Sequence, residues 1–129
     1  MAQDAMEAAE ARIRARRVLL VEDEMMVAML VEDMLSDFDC EIVGPLARIE
    51  DAVAAAKEGG VDIAILDVNL NGKETYPVAD ELAAQGIPFV FATGYGAGGL
   101  REAYQNRPTL QKPFQQNDLV RALASALPE

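Results

Sequence analysis

The sequence predicts an α/β fold, a single doubly wound domain built on a five-stranded parallel sheet. Short apolar runs alternate with helix-forming stretches along the chain, which is the pattern of repeated β/α units. Four of the apolar runs lead into polar side chains: Glu22, Asp23 and Glu24 after the first, then Asp67, Thr93 and Lys112 after the others. The carboxyl ends of parallel strands meet at one edge of a sheet. We therefore expect these side chains to share one pocket.

Local signals define each element. The predicted strands are 18–21, 40–44, 61–67, 87–92 and 109–111, and the predicted helices are the residues after 24, then 49–58, 74–85 and 115–127. The run 61–67 is mostly apolar, as expected for a strand covered on both faces. Gly44-Pro45 predicts the end of the second strand, and Asn71-Gly72 predicts a turn after the third. Gly86 ends the helix before the fourth strand.

The N-terminal residues differ from the rest in composition. Residues 1–16 are rich in Ala, Glu and Arg and favour helix, but they show no clean apolar stripe. We predict an N-terminal extension, either helical or disordered, followed by the main domain at 17–129. The arginine cluster at 12–17 is interpreted as a solubilising lead-in to the first strand, with docking on an acidic partner as the alternative.

Composition excludes several classes of partner. With 129 residues, 51% of them hydrophobic, the chain can bury one core. A formal net charge of −11 argues against nucleic acid as a partner, because phosphate neutralisation needs a basic face. No apolar run approaches the roughly 18 residues of a membrane span. The single cysteine, Cys40, permits no internal disulfide and suits a reducing compartment, so we expect a cytoplasmic location.

The absence of histidine removes further chemistry. Imidazole acid–base catalysis, histidine-dependent serine triads and histidine-ligated zinc are all excluded. Carboxylate, hydroxyl and lysine chemistry remain. Mg²⁺ is a hard cation that prefers such oxygen ligands.

The glycine-rich stretch 94–99 matches the G-x-G-x-x-G dinucleotide fingerprint literally. However, it follows the fourth predicted strand rather than the first. The next strand leads into Lys112 instead of the acid that would bind a ribose. We therefore reject dinucleotide binding and interpret the stretch as a flexible loop.

Taken together, the strand ends resemble the receiver domains of two-component response regulators. Residues 21–24 look like the acidic pair of that family, Asp67 like its phosphoacceptor, Thr93 like its switch hydroxyl and residues 112–114 like its lysine motif. The similarity covers about residues 17–127 and implies a flavodoxin-like fold with strand order 2-1-3-4-5. Residues 91–95 further resemble the motif of the FATGUY subgroup of single-domain alphaproteobacterial regulators.

The resemblance implies a magnesium site beside a phosphorylation site at Asp67. Asp23 and Asp67 would bind Mg²⁺ directly together with the main-chain carbonyl of Asn69, while Glu22 would act through water. A divalent cation would stabilise the charge of the phosphoryl group that Asp67 attacks. Without metal, the clustered carboxylates repel one another, so we expect a raised proton affinity or disorder there.

Lys112 and Thr93 complete the predicted catalytic set with Asp67. The lysine would pair with one phosphoryl oxygen and the threonine hydroxyl would donate to another. Phosphorylation would then draw Thr93 inward. Many receivers have an aromatic switch residue where this chain has Thr109, so Tyr95 is the predicted substitute. The stretch from Thr93 to Lys112 is shorter than usual. This predicts that the helix between the fourth and fifth strands, the fourth helix of the repeated β/α units, is short or mobile.

We therefore expect a phosphoacceptor signalling protein rather than a turnover enzyme. Its partners would be a histidine kinase or a histidine phosphotransfer protein, together with a downstream regulatory protein. With no output domain expected in this length, the signal would pass through altered protein–protein contacts. Two alternatives stay open: a pseudo-receiver that is never phosphorylated, and a small Mg²⁺-dependent phosphohydrolase of the haloacid dehalogenase type. The second wants an acid two residues after Asp67, where this chain has Asn69.

Overall fold

The computed structural model describes residues 2–94 and 100–128, with side chains from residue 4 onward. The helices are α1 (Ala2–Ile13), α2 (Met25–Ser36), α3 (Ile49–Glu58), α4 (Tyr76–Ala84) and α5 (Gln116–Ala126). The strands are β1 (Arg17–Val21), β2 (Glu41–Leu46), β3 (Ile63–Asp67), β4 (Asn69–Leu70), β5 (Lys73–Glu74), β6 (Phe89–Thr93) and β7 (Thr109–Gln111). A 3-10 turn covers Glu102–Tyr104.

Five of the strands form one parallel sheet in the order β2-β1-β3-β6-β7. The strands β4 and β5 pair separately as an antiparallel hairpin. When the five sheet strands are counted along the chain, their order is 2-1-3-4-5. The predicted fold class and strand order are therefore confirmed.

The sheet is covered on both faces, and neighbouring residues of a strand point to opposite cores. Leu20 of β1 and Ile65 of β3 pack with α1, α2 and α5 on one face. Leu19 and Leu66 pack with α3 and α4 on the other. Every residue of β3 and β6 is buried. This double covering explains the nearly continuous apolar runs of the central strands.

The N-terminal residues form the helix α1, which packs against the core. Ile13 is buried in the same core as α5, and Met6 packs against that core. The Arg12 guanidinium donates hydrogen bonds to the carbonyls of Leu127 (2.7 Å) and Pro128 (3.2 Å). Arg12 therefore fastens α1 to the C-terminal end of the chain.

The second strand extends further than predicted. β2 continues through Gly44 and Pro45 to Leu46, with a shift in its pairing register to β1. Gly44 has φ +115, and a side chain there would meet the carbonyl oxygen of Leu20 at 2.6 Å. Proline has no N–H to donate, but β2 lies at the sheet edge, where that loss is tolerated. The predicted end at Gly44-Pro45 was therefore wrong.

After β6, the structure describes Gly94 and then resumes at Leu100. In the described part, the 3-10 turn at Glu102–Tyr104 is the regular structure before β7. The predicted short or mobile fourth helix falls partly on residues 95–99, which lie outside the described residues. No helix among the described residues is long and apolar enough to span a membrane.

Candidate functional site

The predicted polar residues gather at the carboxyl edge of the sheet. Asp67 ends β3, Thr93 ends β6, Glu22 follows β1, and Lys112 follows β7. Three of these side chains are buried: Glu22 is 3% exposed, Asp67 8% and Thr93 5%. The sheet topology accounts for this convergence, since β1, β3, β6 and β7 are consecutive parallel neighbours.

Carboxylates dominate the pocket. Glu22, Asp23, Glu24 and Asp67 each offer an oxygen within 4.8 Å of the others. Three of them belong to the ligand set predicted from the sequence, and Glu24 is an addition that the structure makes. Oxygen donors at this density suit a hard divalent cation such as Mg²⁺. The chemistry of the residues present therefore fits the metal that the sequence predicts.

Lys112 lies among these carboxylates. Its ammonium Nζ is 3.1 Å from Glu22 Oε1 and 3.1 Å from Asp67 Oδ2, and 3.9 Å from Glu24 Oε1. Partial burial acts against the charge, but the hydrogen bonds to Asp67 and Glu22 outweigh it and raise the pKa of Lys112. The ammonium group therefore stays charged at neutral pH and partly neutralises the acids.

Glu22 is the carboxylate of this group whose pKa is raised most clearly, and burial is the main cause. Burial raises its pKa from 4.5 to about 7, and the neighbouring carboxylate of Asp67 adds to the effect. The main-chain N–H of Glu24 donates to Glu22 Oε2 at 3.1 Å, which lowers the pKa but does not reverse the shift. The raised proton affinity that the sequence predicts for the metal-free cluster is therefore found at Glu22.

The hairpin after β3 connects two of the carboxylates. The main-chain N–H of Asn69 donates to Asp67 Oδ1 (3.2 Å), and that of Asn71 donates to Asp23 Oδ2 (3.0 Å). Asn71 has φ +50 and Gly72 has φ +87. Two positive values in succession are typical of the tight type I′ turn that Asn-Gly favours. The turn expected from the sequence therefore reaches across to the β1 end.

Asn69 contributes to the hairpin through its side chain as well. Its Oδ1 accepts a hydrogen bond from the main-chain N–H of Gly72 at 2.8 Å. The side-chain oxygen is therefore engaged within the turn. The predicted contact between the main-chain carbonyl of Asn69 and a cation stays a prediction.

Thr93 and Lys112 are joined through the main chain. The N–H of Lys112 donates to the carbonyl of Thr93 at 2.8 Å, which continues the ladder between β6 and β7 past the strand ends. The two predicted phosphoryl contacts therefore lie side by side. Tyr95, the predicted switch residue, lies outside the described residues, as does most of the glycine-rich stretch 94–99.

The buried position of Tyr104 was not predicted from the sequence. The ring is 7% exposed and packs against Phe89, Phe91 and Tyr76, with centroids 5.5, 5.7 and 6.0 Å away. Its hydroxyl donates to Asp80 on α4. No local pattern indicates this role, because Tyr104 lies in a short irregular stretch with no periodicity.

Comparison with known proteins identifies the family. Residues 18–124 match the family model described as the response regulator receiver domain. The chain belongs to this family. Receiver domains act in two-component signalling, and the family is one of signalling proteins rather than of classical enzymes.

Individual relatives agree with this assignment. The solution structure of SdrG from Sphingomonas melonis Fr1 is 45% identical, with a TM-score of 0.79, and the match covers 86% of this chain and 95% of SdrG. BeF3-activated Sma0114 is 50% identical over 85% of this chain and 89% of its own, with a TM-score of 0.57. PdtaR, a transcriptional regulatory protein of Mycobacterium tuberculosis, is 33% identical over 116 residues. That match covers 87% of this chain but 57% of PdtaR, so this chain spans little more than half the length of that relative.

Proposed function

We propose that this receiver domain accepts a phosphoryl group on Asp67 and signals through the contacts that change as a result. The observation that carries the proposal is the position of Lys112, 3.1 Å from both Asp67 and Glu22 within a tight group of carboxylates. A lone buried acid needs no such arrangement. A nucleophile that must meet an anionic phosphoryl group needs both a cation site and a fixed positive charge.

The proposed roles follow the geometry. Asp23, Asp67 and the carbonyl of Asn69 would hold Mg²⁺, with Glu22 acting through a water molecule. When bound, the cation would stabilise negative charge on the phosphoryl oxygens. The ammonium group of Lys112 would pair with one of those oxygens.

The transfer step itself uses Asp67. A carboxylate oxygen of Asp67 attacks the phosphorus, the phosphorus–nitrogen bond to the donor's histidine breaks, and the imidazole leaves with that electron pair and takes up a proton. The product is an acyl phosphate, which water later hydrolyses to regenerate the carboxylate and inorganic phosphate. We assign the hydroxyl of Thr93, at the end of the neighbouring strand β6, to a phosphoryl oxygen. A switch role for Tyr95 stays a prediction.

The direct test compares Asp67→Asn with Asp51→Asn, a matched control on the exposed side of α3. Each protein is incubated with Mg²⁺ and a small phosphodonor such as acetyl phosphate and then analysed by intact mass. Wild type and Asp51→Asn should gain one phosphoryl group, and Asp67→Asn should gain none. Equal labelling of Asp67→Asn would contradict the assignment.

The same experiment tests the first alternative, because a wild type that takes up no phosphoryl group at saturating Mg²⁺ would favour the pseudo-receiver. A second assay, with a phosphomonoester in place of acetyl phosphate, tests the other alternative: repeated turnover would favour the phosphohydrolase.

We infer that the protein that donates the phosphoryl group docks on α2. Four large apolar side chains on this helix are exposed: Met25, Met26, Met29 and Leu30. Flexible methionines suit a surface that adapts to a partner. An apolar groove of about 330 Å³ runs from this helix to the loop that follows β7. It is lined by Val27, Leu30, Met34, Lys112 and Phe114, among others. The patch is therefore continuous with the phosphorylation site.

The acidic residues around the exposed apolar side chains of α2 indicate the kind of partner that fits there. The patch is bordered by Glu24, Glu32 and Asp33, and α2 contains no basic residue. We propose that a helix of the histidine kinase or phosphotransfer protein docks on it, with an apolar face and basic edges. Its phosphohistidine would then lie within reach of Asp67.

This docking has a test of its own. Met26, which is 80% exposed, is changed to Glu and compared with Glu58→Gln on the distant α3. Transfer from the protein donor should slow about tenfold in Met26→Glu, because a charge buried without a partner at an interface is costly. Labelling by acetyl phosphate should stay at the wild-type rate in both variants. Equal transfer from the protein donor would exclude α2 as the docking helix.

A further inference from the structure

The hairpin formed by residues 68–75, named here the site hairpin, is fastened at its base by Thr75. The Thr75 side chain is completely buried. Its hydroxyl Oγ1 lies 2.6 Å from the main-chain carbonyl oxygen of Asp67 and 3.2 Å from that of Val68. Its main-chain N–H donates to Val68 O at 2.9 Å. A hydroxyl has one proton, so the shorter contact to Asp67 is the principal hydrogen bond.

Thr75 occupies the N-cap position of α4, where a threonine ordinarily serves the helix. An N-cap hydroxyl normally accepts a hydrogen bond from a main-chain N–H in the first turn. Thr75 makes no such bond, and Pro77 removes one of the N–H groups it would have used. Instead of accepting from the helix, the hydroxyl donates to the main-chain carbonyl of Asp67, the residue that we propose as phosphoacceptor. Helix capping therefore does not account for its orientation.

The tip of the site hairpin is fastened to the other proposed ligand. The main-chain N–H of Asn71 donates to Asp23 Oδ2 at 3.0 Å, and Asn71 has a positive φ of +50 while it makes this bond. The hairpin is thus tied to Asp67 at its base and to Asp23 at its tip. These two carboxylates come from different parts of the chain and repel each other.

We propose that Thr75 and Asn71 are positioning residues for the magnesium site, an inference that rests on the proposed function. Mg²⁺ demands nearly ideal octahedral geometry and short metal–oxygen distances. Groups that hold metal ligands in place commonly change affinity by about 10- to 100-fold. The site hairpin holds the Asp67 backbone and the Asp23 carboxylate at a set separation before the cation arrives. It also carries Asn69, whose carbonyl is the third proposed ligand.

The first experiment changes the base. Thr75→Val keeps the shape and removes the hydroxyl, whereas Thr75→Ser retains it. Thr109→Val is the matched control, because the Thr109 hydroxyl also donates to a main-chain carbonyl, that of Arg107 at 3.0 Å, away from the hairpin. Calorimetric Mg²⁺ titration should show a Kd about tenfold weaker for Thr75→Val. Thr75→Ser and Thr109→Val should stay close to wild type.

The second experiment changes the exposed tip, where folding is not at risk. Asn71→Val disfavours the left-handed conformation, while Asn71→Gly accepts it freely. Asn71→Val should weaken Mg²⁺ binding about fivefold, and Asn71→Gly should not. In the metal-free protein, the amide of residue 71 should exchange with solvent faster in Asn71→Val, because its bond to Asp23 is weakened.

The outcomes separate the two proposals. If wild type binds no Mg²⁺, the proposed function and this inference both fail. If wild type binds Mg²⁺ and both Thr75→Val and Asn71→Val match it, the inference alone is overturned. If Thr75→Val does not fold, the Asn71 pair decides the matter.

Discussion

The connections that follow β3 and β6 leave the same edge of the sheet, but they are fastened by different means. The connection after β3 is a short hairpin held mainly by main-chain groups. Its Asn71 and Thr75 bond to Asp23 and Asp67, and Gly72 closes the turn. Such contacts have little freedom, because a main-chain group takes part in each of them, as donor in Asn71 and Gly72 and as acceptor in Asp67.

The described part of the connection after β6 also has one main-chain donor, but it relies more on contacts between side chains. The main-chain N–H of Arg101 donates to the Tyr76 hydroxyl at 2.7 Å, and the Arg101 guanidinium lies 4.4 Å from the Tyr76 ring centroid. Tyr104 and Arg101 both bond to the carboxylate of Asp80, which lies on α4. The ion pair between Arg101 and Asp80 is about half exposed at 3.4 Å. Exposed pairs of this kind contribute only about 0–1 kcal/mol.

The two connections therefore suit different roles. A metal site requires fixed distances, and the connection after β3 supplies them. The described part of the connection after β6 is held to α4 by side-chain contacts, one of them an exposed ion pair, and by the Tyr104 ring. If Asp67 is phosphorylated as proposed, we expect this connection to change its contacts more than the hairpin after β3. We therefore expect changes near Asp23 to act on metal affinity, and changes near Asp80 to act on the segment 100–107.

The largest expected effect is on metal binding. Asp23→Asn removes one of the two proposed anionic ligands and should weaken Mg²⁺ binding about a hundredfold. Loss of a residue that only orients a metal ligand already costs about 10- to 100-fold, and loss of a ligand should cost at least as much. Asp80→Asn is the matched change on the other connection and should leave the Kd unchanged. Calorimetric titration of both variants measures the contrast. A comparable loss in Asp80→Asn would mean that the two connections are not independent.

The pH dependence of stability tests the carboxylate cluster next. The folded-state pKa of Glu22, about 7, lies above its ordinary value of 4.5, so the folded protein binds this proton more tightly than the unfolded chain. The free energy of unfolding of the metal-free protein should therefore fall as pH rises from about 4.5 to 7, by up to about 3 kcal/mol. It should level off above pH 7. Lys112, whose pKa is raised, stays charged throughout this range.

The control for that experiment is Glu22→Gln, which cannot lose a proton. Chemical denaturation at several pH values, with a chelator present, should give a flatter profile for this variant than for wild type. Retention of the full slope in Glu22→Gln would assign the titration to another group.

The smallest expected effect concerns the connection after β6. Tyr104→Phe keeps the buried ring but loses the hydrogen bond to Asp80, so the free energy of unfolding should fall by about 1 kcal/mol. Amide signals of residues 100–107 should shift, and Mg²⁺ affinity should not change. Tyr76→Phe, which loses the contact to the Arg101 N–H, should behave in the same way. The comparison would break down if either variant weakened Mg²⁺ binding as much as Asn71→Val.

Much of the architecture was predictable because it is encoded by short-range patterns. The apolar run before Asp67 could be assigned to a buried strand from its composition, and Asn71-Gly72 could be assigned to a turn because the dipeptide tolerates two positive φ values. The prediction failed at Gly44-Pro45. The close approach of Gly44 to Leu20, not a chain reversal, accounts for that glycine.

The docking of α1 illustrates a second kind of limit. Met6 and Ile13 are too few to form a clear apolar stripe, and their burial depends on the surface that α5 presents. Arg12 bonds to carbonyl groups more than a hundred residues away along the chain. No pattern within the first 16 residues contains that information.

The sequence alone determined that acidic side chains, a hydroxyl and a lysine would follow parallel strands, and hence that Asp67 and Lys112 would meet at one edge. Strand ends are local features, and parallel pairing brings them together whatever the details of packing. Only the tertiary structure decided that the Thr75 hydroxyl bonds to Asp67 rather than capping α4, and that Tyr104 packs beside Phe91. A hydrogen bond forms only when donor and acceptor are placed to within a few tenths of an ångström, and the order of residues does not specify positions that finely.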